Sequence, residues 1–200
     1  MDRLVVASAN PDKVRELREL LSVALPDCVL VPRPSHLADI DEDADTLEGN
    51  ALLKARAIAD ATGDASVADD TGLFVDALGG HPGVRTARYA GPGATPASNR
   101  AKLLAALVEL GAIDPVRRGA EFRTVMAVVR SDATTVIAAG SVSGRITDIE
   151  RGDAGFGYDS LFIPSEGDGR TFAEMTEAEK HALSHRGRAI AALVAKLSIE

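Results

Sequence analysis

The order of apolar runs along the chain leaves few folds open to it. Short strand-like runs alternate with helix-periodic stretches through the first half, and strand-like runs then follow one another directly. Leu4 to Ala7 is an apolar run of strand length. Asn10-Pro11 then opens a stretch in which Val14, Leu17, Leu20, Leu21 and Leu25 recur at helical spacing, and Cys28 to Val31 reads as a second strand. Pro and acids from Pro32 to Asp45 mark a loop. Asp45 and Glu48 stand at capping-box spacing ahead of a helix whose inner face carries Leu52, Leu53, Ala55, Ile58 and Ala59. Val67-Ala68 is again strand-like, ending at Asp69-Asp70 before a glycine-rich turn. Thr95-Pro96 starts a helix, cap followed by Pro, that carries Leu103, Leu104, Leu107 and Leu110 and stops at Gly111. Phe122 to Val129, Thr135 to Ala139 and Val142 to Ile146 read as three strands with antiparallel connections. Gly152 to Gly157 is a loop, Leu161 to Ile163 one more strand, and Ser184 to Leu197 a last helix with Ala189, Leu193 and Leu197 in one stripe. This order predicts an α/β architecture with a mixed sheet. The expectation is one domain over 1–200, with Gly79 to Pro96 as the stretch that separates two lobes, without a clean boundary.

Aromatics make up 4% of the 200 residues and Trp is absent, so the core must be built from Val, Leu, Ile and Ala. A net charge of −8 argues against non-specific nucleic-acid binding, which needs a basic surface. It leaves room for a small anion held by a few local cations. The single cysteine, Cys28, excludes an internal disulfide framework and fits a reducing cytoplasm. The opening apolar run is too short for a signal peptide, and no stretch reaches the length of a membrane span. A soluble, cytoplasmic protein is expected.

Four segments carry residues with chemistry in them. Ser8 to Glu16, SANPDKVRE, sits between a strand and a helix, where free N–H groups and a partial positive charge suit a phosphate. Lys13 in the first helical turn would meet the anion. The same residues also make an ordinary N-cap and a surface Lys13–Glu16 pair. The second segment, Asp39 to Arg56, sets acids ahead of Lys54, and hard cations such as Mg²⁺ take oxygen ligands. The third is the Asp69-Asp70 pair, whose bland reading is strand-end and turn chemistry. The fourth joins GFGYDS, Gly155 to Ser160, with EKHALSHRGRA, Glu179 to Ala189. There Phe156 or Tyr158 can stack on a flat ligand; core packing is the alternative.

In this order and spacing, SANPDKVRE, ADDTGLFVDALGGHPG, GFGYD and the series Lys180, Ser184, His185, Arg186 resemble the inosine triphosphate pyrophosphatase family, from Leu4 to Leu193. The resemblance implies an elongated mixed β-sheet flanked by helices, in two lobes with the active site in the cleft between them. It implies a Mg²⁺-dependent enzyme, commonly a homodimer, that hydrolyses dITP, ITP and XTP to the monophosphate and pyrophosphate. In the family pattern Asp70 is the general base and a metal contact. Asp69 is a neighbouring carboxylate supporting the metal, and Glu42, twelve residues before Lys54, is the other metal carboxylate. Ser8, Ala9, Asn10, Pro11, Asp12 and Lys13 match the triphosphate loop, with Lys54 and Lys180 as further cations. Thr71 stands where Ser is usual. Phe156, Gly157, Tyr158, Asp159, Lys180, His185 and Arg186 match the base pocket. The chain departs from the pattern at Ser160, in place of Pro, at Leu47, in place of Phe, and at Arg85, where an aromatic is common. Asp41 and Asp43 flank Glu42 and compete with it for the metal role. A Maf-type nucleotide pyrophosphatase and a non-catalytic purine-nucleotide-binding protein are the alternatives; Lys13, where the Maf loop usually has Arg, speaks against the first.

Overall fold

β1 (Arg3–Val6) pairs in parallel with β2 (Val29–Pro32) on one side and with β3 (Ser66–Val75) on the other. Parallel neighbours need crossover connections, and these are α1 (Pro11–Ala24) and α2 (Leu47–Thr62). β4 (Pro82–Gly83) lies antiparallel on β3. α3 (Pro96–Glu109) leads to β5 (Gly119–Val129), β6 (Thr135–Ile146) and β7 (Phe162–Pro164), and the chain closes with α4 (Glu177–Leu183) and α5 (His185–Leu197). The result is one mixed seven-stranded sheet in the order β2-β1-β3-β5-β6-β7, with β4 beside β3. This computed structural model describes residues 2–198. Met1, Ile199 and Glu200, the ends of the expected 1–200 domain, lie outside the described residues.

Two expectations about strands change. The run ending at Asp69-Asp70 does not stop there: β3 continues to Val75. Leu73 and Val75 resume the alternation into the core, and Gly72 lets β4 approach, since a Cβ there would meet the Gly83 carbonyl oxygen at 2.8 Å. Acids followed by glycine imitate a turn, but the burial beyond them decides for a strand. Likewise the two short runs 135–139 and 142–146 are one strand, β6, because Gly140 and Ser141 stay extended within it. Helix ends follow sequence closely. Asn10 caps α1, accepting from the Asp12 and Lys13 amides, and Thr95 with Ser98 forms a capping box on α3. The cap of α2 is Thr46, not Asp45, and α4 is a helix that periodicity did not indicate. Leu53 and Leu110, expected inside, are exposed.

The chain divides into two compact units. The first comprises residues 1–70, 124–140 and 186–200, and its apolar residues form two clusters sorted by strand parity. Leu4, Val6, Val67, Met126 and Val128 pack with Leu17 and Leu21 of α1 and with Ala189, Ile190 and Leu193 of α5. Their strand neighbours Val5, Ala7, Ala68, Ala127 and Val129 pack with Ala51, Ala55 and Ile58 of α2. Alternating side chains of a strand point to opposite faces, so each face of these strands has its own helices. The second unit comprises residues 71–123 and 141–185, and Gly79 to Pro96 lies inside it. Its core gathers Leu73, Val75, Leu103, Leu107, Phe122, Phe162 and Phe172. Among the described residues, no helix is long and apolar enough to cross a membrane.

Candidate active site

Parity also separates the paired acids. Asp69 follows Val67 onto the α1 and α5 face of β3, whereas Asp70 follows Ala68 onto the α2 face. Each meets what its helices supply. Asn50 and Lys54, one helical turn apart on the buried side of α2, both reach Asp70. The Asn50 amide donates to Asp70 Oδ2 at 3.1 Å, and the Lys54 ammonium lies 3.4 Å from Oδ1. The same ammonium donates to Glu42 Oε1 at 2.7 Å, while the flanking Asp41 and Asp43 are exposed. Asn50 also accepts from the Ala44 amide, tying the acidic loop to α2. Asn50 was missed in the sequence, although its i,i+4 spacing to Lys54 placed it on the same face.

Electrostatics follow from this neighbourhood. Burial raises the Asp70 pKa; Lys54 and Lys13 oppose it, Glu42 adds to it, and the net shift is upward. For Lys54, burial works against the charged form, but Asp70, Asp69 and Glu42 outweigh it and raise its pKa. The ammonium therefore stays charged between two carboxylates. Glu42 and Asp70 are hard oxygen donors converging on the Lys54 ammonium, a pair that suits a divalent cation as well. Among the described residues, no group of three or more His, Cys, Asp or Glu side chains is arranged to hold a metal.

The other face of β3 is enclosed. Arg186, at the start of α5, donates to Asp69 Oδ2 from Nε at 3.3 Å and from Nη2 at 3.2 Å, and Nη1 pairs with Glu16 of α1. Lys13 Nζ lies 3.5 Å from Asp69 Oδ2. Burial opposes ionisation of Asp69, but Lys13, Arg186 and Lys54 together hold its carboxyl well below the usual range. Asp69 is thus partnered by cations, and Arg186, expected at the base, has carboxylates as its partners. In the loop from Ser8 to Lys13, Ser8 is buried and Oγ accepts from the Asn10 amide at 3.3 Å. Ala9, Asn10 and Pro11 are exposed. The Asp12 and Lys13 amides, candidate phosphate donors, are taken by the Asn10 side chain.

The remaining expected residues lie in the second unit, apart from Arg186. Asp159 Oδ2 accepts from the Phe156 amide and from Lys180 Nζ, both at 2.8 Å, and Nζ stands 4.8 Å over the Phe156 ring. Gly155, with φ of +71°, is required here, because a Cβ would collide with the Asp159 carboxylate. Arg100 of α3, also missed in the sequence, donates to the Gly157 carbonyl at 2.9 Å and steadies the loop. Tyr158 is packed in the core, its hydroxyl donating to the Thr86 carbonyl at 3.0 Å, so Phe156 is the half-buried ring of the pair. His185 is buried and stacked on Phe122, with centroids 4.5 Å apart. Thr71 is half-buried in β3, and Ser160 donates to Glu150.

A family model described as the Ham1 family matches residues 4–196. The chain belongs to the Ham1 family. It is similar to a dITP/XTP pyrophosphatase of Mycobacterium tuberculosis, 47% identical over 98% of this chain and 95% of the relative. It is also similar to one of Streptomyces coelicolor, 43% identical over 97% and 96%. The solved structure of a HAM1 protein from Coxiella burnetii is similar throughout, with a TM-score of 0.86 and 38% identity over 100% of both chains. The mixed α/β fold of this Ham1 chain is therefore that of its family.

Proposed function

We propose that this Ham1 chain hydrolyses the deaminated purine triphosphates dITP, ITP and XTP to the monophosphate and pyrophosphate, by attack of water on the α-phosphorus. The observation that carries the reading is Asp70: a buried carboxylate with a raised pKa, held from two sides by Asn50 and Lys54. Its setting belongs to a chain whose full-length relatives are named dITP/XTP pyrophosphatases. A carboxylate with a raised pKa is a stronger base than an ordinary one, and Asn50 fixes the direction of its lone pairs. Asp70 orients the attacking water and accepts its proton. Lys13 and Lys54 are the cations that meet the triphosphate, as point charges, while Lys180 is engaged with Asp159. Glu42 and Asp70 would hold Mg²⁺, which when bound would neutralise phosphate charge and acidify a bound water.

Phe156, braced by Asp159 and Lys180, offers its ring to the purine. A donor from His185 directed at the C6 oxygen would accept hypoxanthine and xanthine and meet the amino group of adenine donor to donor, whereas Arg186 is committed to Glu16 and Asp69. An unmade buried hydrogen bond costs about 1–3 kcal/mol, enough for roughly ten- to hundredfold discrimination. A cytoplasmic homodimer completes the reading: the single cysteine fits a reducing cytoplasm, and the dimer rests on the family resemblance, with a 20.8 kDa species in sedimentation equilibrium arguing against it. The reaction itself is tested by incubating the protein with ITP and Mg²⁺ and following phosphorus NMR. IMP and pyrophosphate are the expected first products, with turnover abolished by EDTA; IDP and orthophosphate would overturn the reading.

A further inference from the structure

One buried carboxylate has no part in the chemistry above. Glu16 sits one turn beyond Lys13 on α1, where a surface pair with Lys13 is one of the two readings of the sequence, yet it is 5% exposed. Its partner is Arg186, 170 residues away and 1% exposed. Following the contacts from there closes a circuit. Arg186 forks between Glu16 and Asp69, Asp69 reaches Lys13, and Lys13 shares α1 with Glu16. Three of the four side chains are enclosed, with exposures of 6% or less, and only that of Lys13, at 18%, reaches solvent. Two anions and two cations balance, as enclosed charges must, because an unpaired one is costly to bury.

The division of Arg186 between two carboxylates matters for Lys13. Asp69 Oδ2 is the oxygen that faces both Arg186 and Lys13. With Glu16 neutral, the guanidinium would move wholly onto Asp69 and compete with Lys13 for that oxygen. The ammonium would then swing on its four-carbon stem instead of standing where a phosphate arrives. We propose that Glu16 is a positioning residue for triphosphate binding. By holding one arm of Arg186 it leaves Asp69 able to fix the Lys13 ammonium. The inference rests on the reading of Lys13 as a phosphate-binding cation.

The test is a double-mutant cycle of Glu16→Gln and Lys13→Ala, read as KM and kcat for ITP with Mg²⁺ and as the calorimetric Kd for ITP without divalent ion. Glu16→Gln is expected to raise KM and Kd about two- to tenfold, the range set by ordering one long side chain, with kcat nearly unchanged. In the Lys13→Ala background it should change neither by more than about twofold, because the group it acts through is gone. Glu16→Asp, which keeps the charge, should fall between wild type and Glu16→Gln. If Glu16→Gln does not fold, Glu16→Asp takes its place in the cycle. Equal losses in both backgrounds, or a fall in kcat at constant KM, overturn the inference while leaving the functional reading intact. A wild-type protein that neither binds nor hydrolyses ITP overturns the functional reading, and this inference with it.

Discussion

Asp69, on the α1 and α5 side of β3, is enclosed with Arg186, Glu16 and Lys13, and its carboxyl ionises well below the usual range. Asp70, one residue on and facing α2, shares a single ammonium with Glu42, and its carboxyl is pushed up from its ordinary value. Covalently the two are identical and adjacent. What separates them is the charge around each: Lys13, Arg186 and Lys54 act on Asp69, whereas Lys54 and Lys13 act on Asp70 against the opposing carboxylate of Glu42. The enclosed face pairs its charges off, and of its four side chains only Lys13 reaches solvent. The α2 face leaves a carboxylate under-compensated, and that is the condition for a base.

Amide substitutions should break the symmetry between the two faces in opposite directions. Asp70→Asn keeps the shape and removes the base, so kcat for ITP should fall by about 10²–10⁴. Its effect on stability has the unusual sign. A carboxyl whose folded pKa is raised contributes stability only at acid pH, and the contribution is lost as pH rises through the folded value. Removing the charge at pH 7 should therefore leave Tm unchanged or higher, by calorimetry. A kcat within tenfold of wild type would remove Asp70 from the role of base.

Asp69→Asn comes next in size and should act on folding. Its lowered pKa gives stability that is complete above about pH 4 and is lost as pH falls through the folded value. Breaking a buried pair of this kind costs about 3–5 kcal/mol, or about 6–20 °C in Tm for a chain of this length. Should Asp69→Asn melt like wild type, the enclosed face is not the structural one.

Phe156→Ala touches neither face. Loss of a stacking ring is worth about 1–3 kcal/mol, so KM for ITP should rise roughly fivefold or more with kcat largely kept. An unchanged KM would take Phe156 out of base binding. The smallest effect is a titration. In the metal-free protein the Asp70 carboxyl should titrate above an ordinary aspartate by carbon-13 NMR, and its midpoint should stay in place in Phe156→Ala. A midpoint at or below pH 4 would contradict the raised pKa of Asp70.

How much of this was legible in the sequence depended on the range of the interaction. The caps at Asn10 and Thr95 act within three residues and were readable. So was the spacing of Glu42, Lys54 and Asp70, through the family pattern. Asn50 was readable in principle from its i,i+4 relation to Lys54. Glu16 was not, because the Arg186 that buries it arrives from the far end of the chain. The continuation of β3 past Asp70 was hidden for a related reason: Gly72 reads as a turn until β4 is seen against it. Local chemistry was visible; packing partners were not.

The alternation along β3 has a consequence for how such a chain can vary over evolution. Val67 to Asp70 is a stretch where length cannot drift. One residue inserted or deleted there would send the second acid toward Arg186 and the first toward Lys54, exchanging base and structural anion while composition stayed almost the same. Loops carry no such parity and can change length without exchanging two faces. Lineages of this fold should therefore tolerate insertions and deletions in the loops and none between Val67 and Asp70.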